Sequence, residues 1–201
     1  MNDLQYANTS PNDFEELNRL YQEYLNGGEY ISNWLKEGLS MPGYFGVKCT
    51  DGGRIAGAVT IRPGISFTYG HSELADEITL QYKDKELFTV DMFAVEPEYR
   101  RNGVASLLCC GLREELARRN VDLLLLEAWY PWAEDADLSP PPAVGIFEKY
   151  VGGLAAYGDY PEFYKDLYLV GISCSECGGK PCTCGAKICI ITVRQNRKEN
   201  I

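Results

Sequence analysis

The sequence predicts an α/β (α+β) fold that mixes strands and helices. Three observations predict it. The apolar run Leu87–Val95 passes through a short polar turn into an amphipathic run over 104–117, which reads as strand, tight turn, helix. Two β-rich runs, 44–49 and 54–61, flank Asp51-Gly52-Gly53 and read as a hairpin. Residues 121–128 are a continuous apolar run, as in a fully buried strand. At 201 residues the chain suits one domain, 1–201, with a sizeable core.

The chain in order supports this. Residues 4–8 read as a first strand. Ser10-Pro11-Asn12-Asp13 is a helix start: Ser10 caps, Pro11 suits the first helical position and Asp13 the first turn. Phe14, Leu17, Tyr21, Tyr24 and Leu25 follow at helical spacing until Gly27-Gly28, and 30–39 reads as a second, shorter helix. Aromatics so spaced are core residues, with Tyr21, Tyr24, Tyr30 and Trp34 alternatively lining a pocket. Residues 65–86 show no clear pattern and hold the one histidine, His71, to which no role is assigned. Along Leu87–Val95, alternation puts Thr89, Asp91, Phe93 and Val95 on one face, and Val90, Met92 and Ala94 on the other. Asp91 in that apolar setting needs a partner or a function. The helix after the turn carries Val104, Leu107, Leu108, Leu112 and Leu116 as one stripe. Residues 130–142 are a long acidic, proline-rich loop, and 143–150 are helical. Residues 167–172 and 186–193 are expected to pair as a C-terminal β-hairpin, and 194–201 to fray.

The turn itself carries chemistry. A helix start offers unpaired N–H groups and the positive end of the dipole. Gly103 admits an anion close to the backbone, and Arg100 and Arg101 add charge, so the turn reads as a diphosphate cradle.

Net charge is −10. That surface repels nucleic acid and anionic membrane, so neither is expected as a partner, and it suits a cationic substrate or simply solubility. With no basic start followed by an apolar run, and no membrane-length stretch, the expected location is cytoplasmic. Cys49, Cys109 and Cys110 lie in apolar contexts, whereas five cysteines crowd into 174–189. Cys174-Ser175-Glu176-Cys177-Gly178 is a metal knuckle, and Cys182-Thr183-Cys184 supplies a second pair. Four thiolates suit a structural zinc at the hairpin tip, with Cys189 as an alternative ligand and a redox disulfide or iron–sulfur cluster as rivals.

At Arg100-Arg101-Asn102-Gly103-Val104-Ala105 the sequence resembles the GNAT superfamily of N-acetyltransferases. The family signature is Arg or Gln, two residues, Gly, one residue, then Gly or Ala. Val95, Pro97 and Tyr99 match the usual lead-in. The resemblance implies a mixed, mostly antiparallel central sheet flanked by helices, here with the Cys-rich C-terminal hairpin. It implies acetyl-CoA as co-substrate and an amine acceptor, small or on a peptide or protein, and leaves a homodimer open. The diphosphate would sit on the backbone of Arg101, Asn102, Gly103, Val104, Ala105 and Ser106. The preceding strand would open away from its neighbour and pair with the pantetheine arm through Phe93, Ala94 and Val95.

The same resemblance implies a base, usually a glutamate on the fourth or fifth strand. Glu127 fits the second position. The first falls on Thr89, with Asp91 as local substitute. The family tyrosine that protonates the leaving thiolate falls on Phe147, in Phe147-Glu148-Lys149-Tyr150-Val151-Gly152-Gly153, so Tyr150, Tyr157 or water must serve. That departure keeps a CoA-binding regulatory protein without catalysis as an alternative, and the cysteines keep a metal or thiol sensor. Glu134, Asp135 and Asp137 would border the acceptor cleft and draw a cation.

Overall fold

Two glycines with positive φ, Gly52 at 57° and Gly53 at 90°, turn β2 (Phe45–Asp51) into β3 (Arg54–Pro63), the conformation a two-residue hairpin turn requires. The computed structural model describes residues 3–25, 28–130, 142–172, 174, 177 and 181–195. Its other strands are β1 (Gln5–Asn8), β4 (Leu87–Val95), β5 (Leu123–Tyr130), β6 (Gly152–Tyr160) and β7 (Gly185–Val193). They form one sheet in the order β1-β2-β3-β4-β5-β7-β6, and each neighbouring pair is antiparallel except β4 with β5.

Among the described residues five α-helices accompany the sheet: α1 (Phe14–Leu25), α2 (Gly28–Ser40), α3 (Ser72–Gln81), α4 (Val104–Arg118) and α5 (Pro142–Tyr150). The Ser10 N–H bonds Asp13 Oδ2 at 2.7 Å where the chain enters α1, as the start signal requires. The stripe of α4 buries Val104, Leu108, Leu112 and Leu116 against one sheet face, together with Phe147 of α5. On the other face Leu17, Leu20 and Tyr21 of α1 and Leu35 of α2 pack on Ala58, Met92 and Ala94. A third apolar cluster joins Leu123, Leu125, Ile188 and Ile190 to the segment between β6 and β7.

Two expectations are corrected, and one stretch left unread takes a form. The first arm of the C-terminal hairpin is β6, not 167–172. Residues 167–170 make a single 3₁₀ turn closed by Gly171 at φ 81°, because they pack as a plug on the third cluster and have no strand to pair with. Residues 72–81 are helical. The alternation along β4 is broken: Thr60 pairs with Met92 but Ile61 with Val90, so Asp91 is the extra residue of a bulge. Asp91 therefore does not share a face with Phe93. Phe93 meets Phe147 edge-on at 5.6 Å, on the α5 side, while Asp91 meets Trp34 of α2.

Candidate active site

β4 and β5 pair only from Leu87–Thr89 against Leu123–Leu125. Beyond that, β4 keeps its β3 partner to Val95 and β5 keeps its β7 partner to Tyr130. The sheet therefore splits into a wedge. A cavity of about 530 Å³ fills it, lined by β4 and β5 and by residues of α1, α2 and α5.

At the mouth of the wedge, β4 feeds the turn into α4. Gly103 has φ 85°, and nothing lies within 4 Å of where a Cβ would stand. Among the described residues, no acceptor meets the N–H of Arg101, Gly103, Val104, Ala105 or Ser106. The Asn102 N–H, expected in the cradle, is used by Tyr99 O at 3.3 Å. The Arg100 side chain folds back, Nε donating to Val95 O at 3.2 Å. Five free N–H groups around an open αL glycine fit a diphosphate.

The β4 edge divides the expected pantetheine contacts. Glu96 donates its N–H to Ala56 O, so the alternation of antiparallel pairing turns Ala94 toward β3 and leaves the backbone groups of Phe93 and Val95 facing the wedge. Of those, Val95 O is taken by Arg100. Phe93 and the Val95 N–H remain for a ligand, and Ala94 does not.

Two carboxylates line the cavity, and they differ. Asp91 is saturated: Arg62 Nε donates at 2.9 Å and Trp34 Nε1 at 2.6 Å to Oδ1, and Tyr44 OH donates at 2.7 Å to Oδ2. Arg62 is itself buried, 4.2 Å over the Trp34 ring. Asp91 is thus the counter-ion of a buried arginine, with three donors already on its carboxylate. Asp91→Asn should destabilise the fold by about 3 kcal/mol, because it leaves the buried Arg62 charge only the exposed Glu37 carboxylate at 3.3 Å, and thermal melting measures this. An unchanged melting temperature with lost activity would return the base to Asp91.

Glu127 lies across the wedge on β5. Thr68 donates its N–H at 2.8 Å to Oε2 and its hydroxyl at 2.6 Å to Oε1, and Tyr164 OH donates at 2.8 Å to Oε1. Oε2 keeps a free lone pair. Burial raises the carboxyl above its ordinary range, and the Thr68 and Tyr164 hydrogen bonds hold it partly down. No arginine or lysine pairs with it among the described residues. Thr68 and Tyr164 come from loops that sequence patterning leaves unread; an isolated Thr or Tyr in a loop carries no signal.

The remaining candidates divide. Tyr24, Tyr30 and Trp34 line the cavity, while Tyr21 is wholly core. Phe147 lines it and has no proton to give. Tyr150, at the end of α5, is not among the residues that line it, and the neighbouring Ser106 hydroxyl lowers its pKa. Glu134, Asp135 and Asp137 lie outside the described residues, as does the side chain of Tyr157.

The sulfur atoms of Cys174, Cys177, Cys182 and Cys184 lie within 4.8 Å of one another. Cys174 to Cys184 is 3.5 Å and Cys177 to Cys182 is 3.4 Å. Tetrahedral zinc with sulfur at its usual bond length spaces its ligands by about 3.8 Å, so the four thiols fit it. None of the eight cysteines is in a disulfide. Cys189 is excluded as a ligand, since it is buried among the residues that pack on α4 and α5. Cys174 and Cys182 also line the cavity.

Comparison with known proteins agrees with this geometry. The acetyltransferase (GNAT) family model matches residues 11–136, more than half of the chain. The chain belongs to that family, whose members move an acetyl group from acetyl-CoA, and is an acetyltransferase of this type. The match stops short of the cysteine cluster. Among solved structures it is similar to the ribosomal-protein-S18-alanine N-acetyltransferase of Escherichia coli, at 15% identity and TM-score 0.60 over 98% of both chains. It is similar to Arabidopsis thaliana NAA60 in complex with acetyl-CoA, at 16% identity and TM-score 0.63 over 94% of this chain and 98% of that one. Ard1 from Thermoplasma volcanium aligns at 18% identity and TM-score 0.55 over 95% and 99%. No curated protein matches the sequence. No helix among the described residues is long and apolar enough to cross a membrane.

Proposed function

We propose that the protein is an N-acetyltransferase acting on a cationic primary amine, small or presented on a peptide. The observation that carries this reading is Glu127, a carboxylate without a cationic partner among the described residues, on the free arm of the sheet wedge. Acetyl-CoA would supply the activated thioester. The N–H groups of Arg101 and of Gly103 through Ser106 would hold its diphosphate, and Phe93 and Val95 its pantetheine arm. Glu127 draws the ammonium in and takes its proton, directly or through water, so that the neutral nitrogen can attack. Nitrogen–carbon bond formation and carbon–sulfur cleavage follow. The second proton of the attacking nitrogen passes through water to the departing thiolate, since Phe147 offers none.

The test is acetyl-CoA turnover against a panel of amines of graded charge. Cationic amines should turn over faster, with an advantage that shrinks as salt rises. An acceptor with net negative charge, preferred in that panel, would contradict the reading.

The four cysteines are read as a structural zinc site. Burial and neighbouring sulfurs push the Cys182 and Cys184 thiols up, so they ionise at neutral pH only against a cation. Purified protein should carry one zinc, and chelation should lower the melting temperature. Metal-free protein with reduced thiols and an unchanged melting temperature would sink this assignment.

A further inference from the structure

The zinc reading leaves unexplained why the cysteine cluster sits against the reaction cleft. Tyr164 links the two. Its hydroxyl donates to Glu127 Oε1 at 2.8 Å, and its backbone N–H donates to the carbonyl of Cys184, one of the four thiol residues, at 3.4 Å. Phe163, Tyr164, Leu167, Ile172, Cys182 and Cys184 share one apolar cluster.

The other donors to Glu127 hang on the same support. Thr68 and His71 belong to one loop. The His71 ring stacks on Phe163 at 3.6 Å and 9°, and its Nε2 lies 2.9 Å from Phe163 O. His71, without a role in the sequence, thus clips the Thr68 loop to the segment that carries Tyr164. All three hydrogen bonds on Glu127 come from this clamp, and the cysteine site backs it. The diphosphate cradle lies elsewhere, at the start of α4, and none of the four cysteines belongs to it.

We propose that Tyr164 is a positioning residue for Glu127 and that the metal-bound cysteine cluster holds Tyr164 in place, so that metal occupancy controls turnover and not acetyl-CoA binding. This rests on the readings of Glu127 as base and of the cluster as a metal site. With metal bound, the main chain at Cys184 is fixed and Tyr164 is held on the carboxylate. Without it, the cluster loosens, Tyr164 and the Phe163–His71 clip shift, and the carboxylate loses its orientation toward the amine. A misplaced base costs rate and leaves the distant cradle intact.

The experiment compares wild type, Tyr164→Phe and Glu127→Gln, each with and without chelator. It reads zinc content, acetyl-CoA affinity by calorimetry, and kcat. Tyr164→Phe should keep its zinc, bind acetyl-CoA within about twofold of wild type, and lose about tenfold in kcat, the worth of one hydrogen bond to a charged group. Chelation should cost wild type at least about tenfold in kcat at constant acetyl-CoA affinity, and cost Tyr164→Phe no more than about twofold further. Tyr164→Phe added to Glu127→Gln should likewise cost no more than about twofold.

Equal loss on chelation in wild type and Tyr164→Phe would overturn the proposal, because the metal would then act by another route. So would a parallel loss of acetyl-CoA affinity, which would mean general collapse. Protein purified without metal, with Glu127→Gln inactive, would overturn it and leave the base standing. Full activity in Glu127→Gln would overturn both.

Discussion

Glu127→Gln will lower kcat by about two to four orders of magnitude, the usual worth of a general base. The glutamine keeps the volume and loses the basicity. Its amide oxygen can keep the Thr68 N–H while its NH2 faces the Thr68 and Tyr164 hydroxyls, which must then accept, so acetyl-CoA affinity must be measured alongside to show that the fold persists. The pH profile gives a second, independent reading. Activity requires the deprotonated carboxylate, and burial raises its pKa. Activity should therefore rise with pH through a limb above the ordinary carboxylate range and disappear as pH falls below it. Glu127→Gln should abolish that limb. An unchanged rate in Glu127→Gln, with Asp91→Asn folded and dead, would move the base to Asp91.

The two carboxylates show what the sequence could and could not reveal. Both stand out as acidic residues in apolar strands, and sequence patterning cannot rank them. The ranking comes from the bulge at Asp91, which turns that side chain onto Arg62, Trp34 and Tyr44, residues distant along the chain. A bulge is a mismatch between two strands, so one strand's pattern does not record it. The strand–turn–helix block around Gly103 was legible because everything it needs is local: an apolar run, a glycine and an amphipathic run. β6 was not, since Gly152-Gly153 and Ala155-Ala156 carry little strand propensity and the segment is a strand only because β7 pairs with it. The 167–172 run misled for the converse reason: apolar content there serves packing against the third cluster.

The candidate site divides along the same line. The turn proposed as the cradle was readable as a strand–turn–helix motif, but its use of the Asn102 N–H in a local turn was not. The cysteine knuckle was readable from spacing. The donors that set Glu127 were not, because Thr68 and Tyr164 meet it only across loops that the His71–Phe163 stack brings together.

Gly103→Val should lower acetyl-CoA affinity by about 100-fold or more. Gly103 sits at φ 85°, where a β-branched residue is strained, so valine must shift the turn that aims the N–H groups of Arg101 and of 103–106 at one point. Its side chain would also enter the open space beside those groups. Losing two hydrogen bonds to a charged diphosphate is worth about 3–6 kcal/mol, or roughly two to four powers of ten. The backbone is exposed at this turn, and the buried stripe of α4 begins only at Val104, so the fold should survive. Calorimetry with acetyl-CoA measures the loss. Adenosine diphosphate as a competitor separates the two halves of the ligand: it should displace acetyl-CoA from wild type and fail to bind Gly103→Val. Gly103→Ala isolates the strain from the bulk, since it shares the unfavourable φ with a smaller side chain, and should fall between the two. Equal affinity in wild type and Gly103→Val would place the diphosphate away from this turn, and with it the assignment of Phe93 and Val95 to the pantetheine arm would fall.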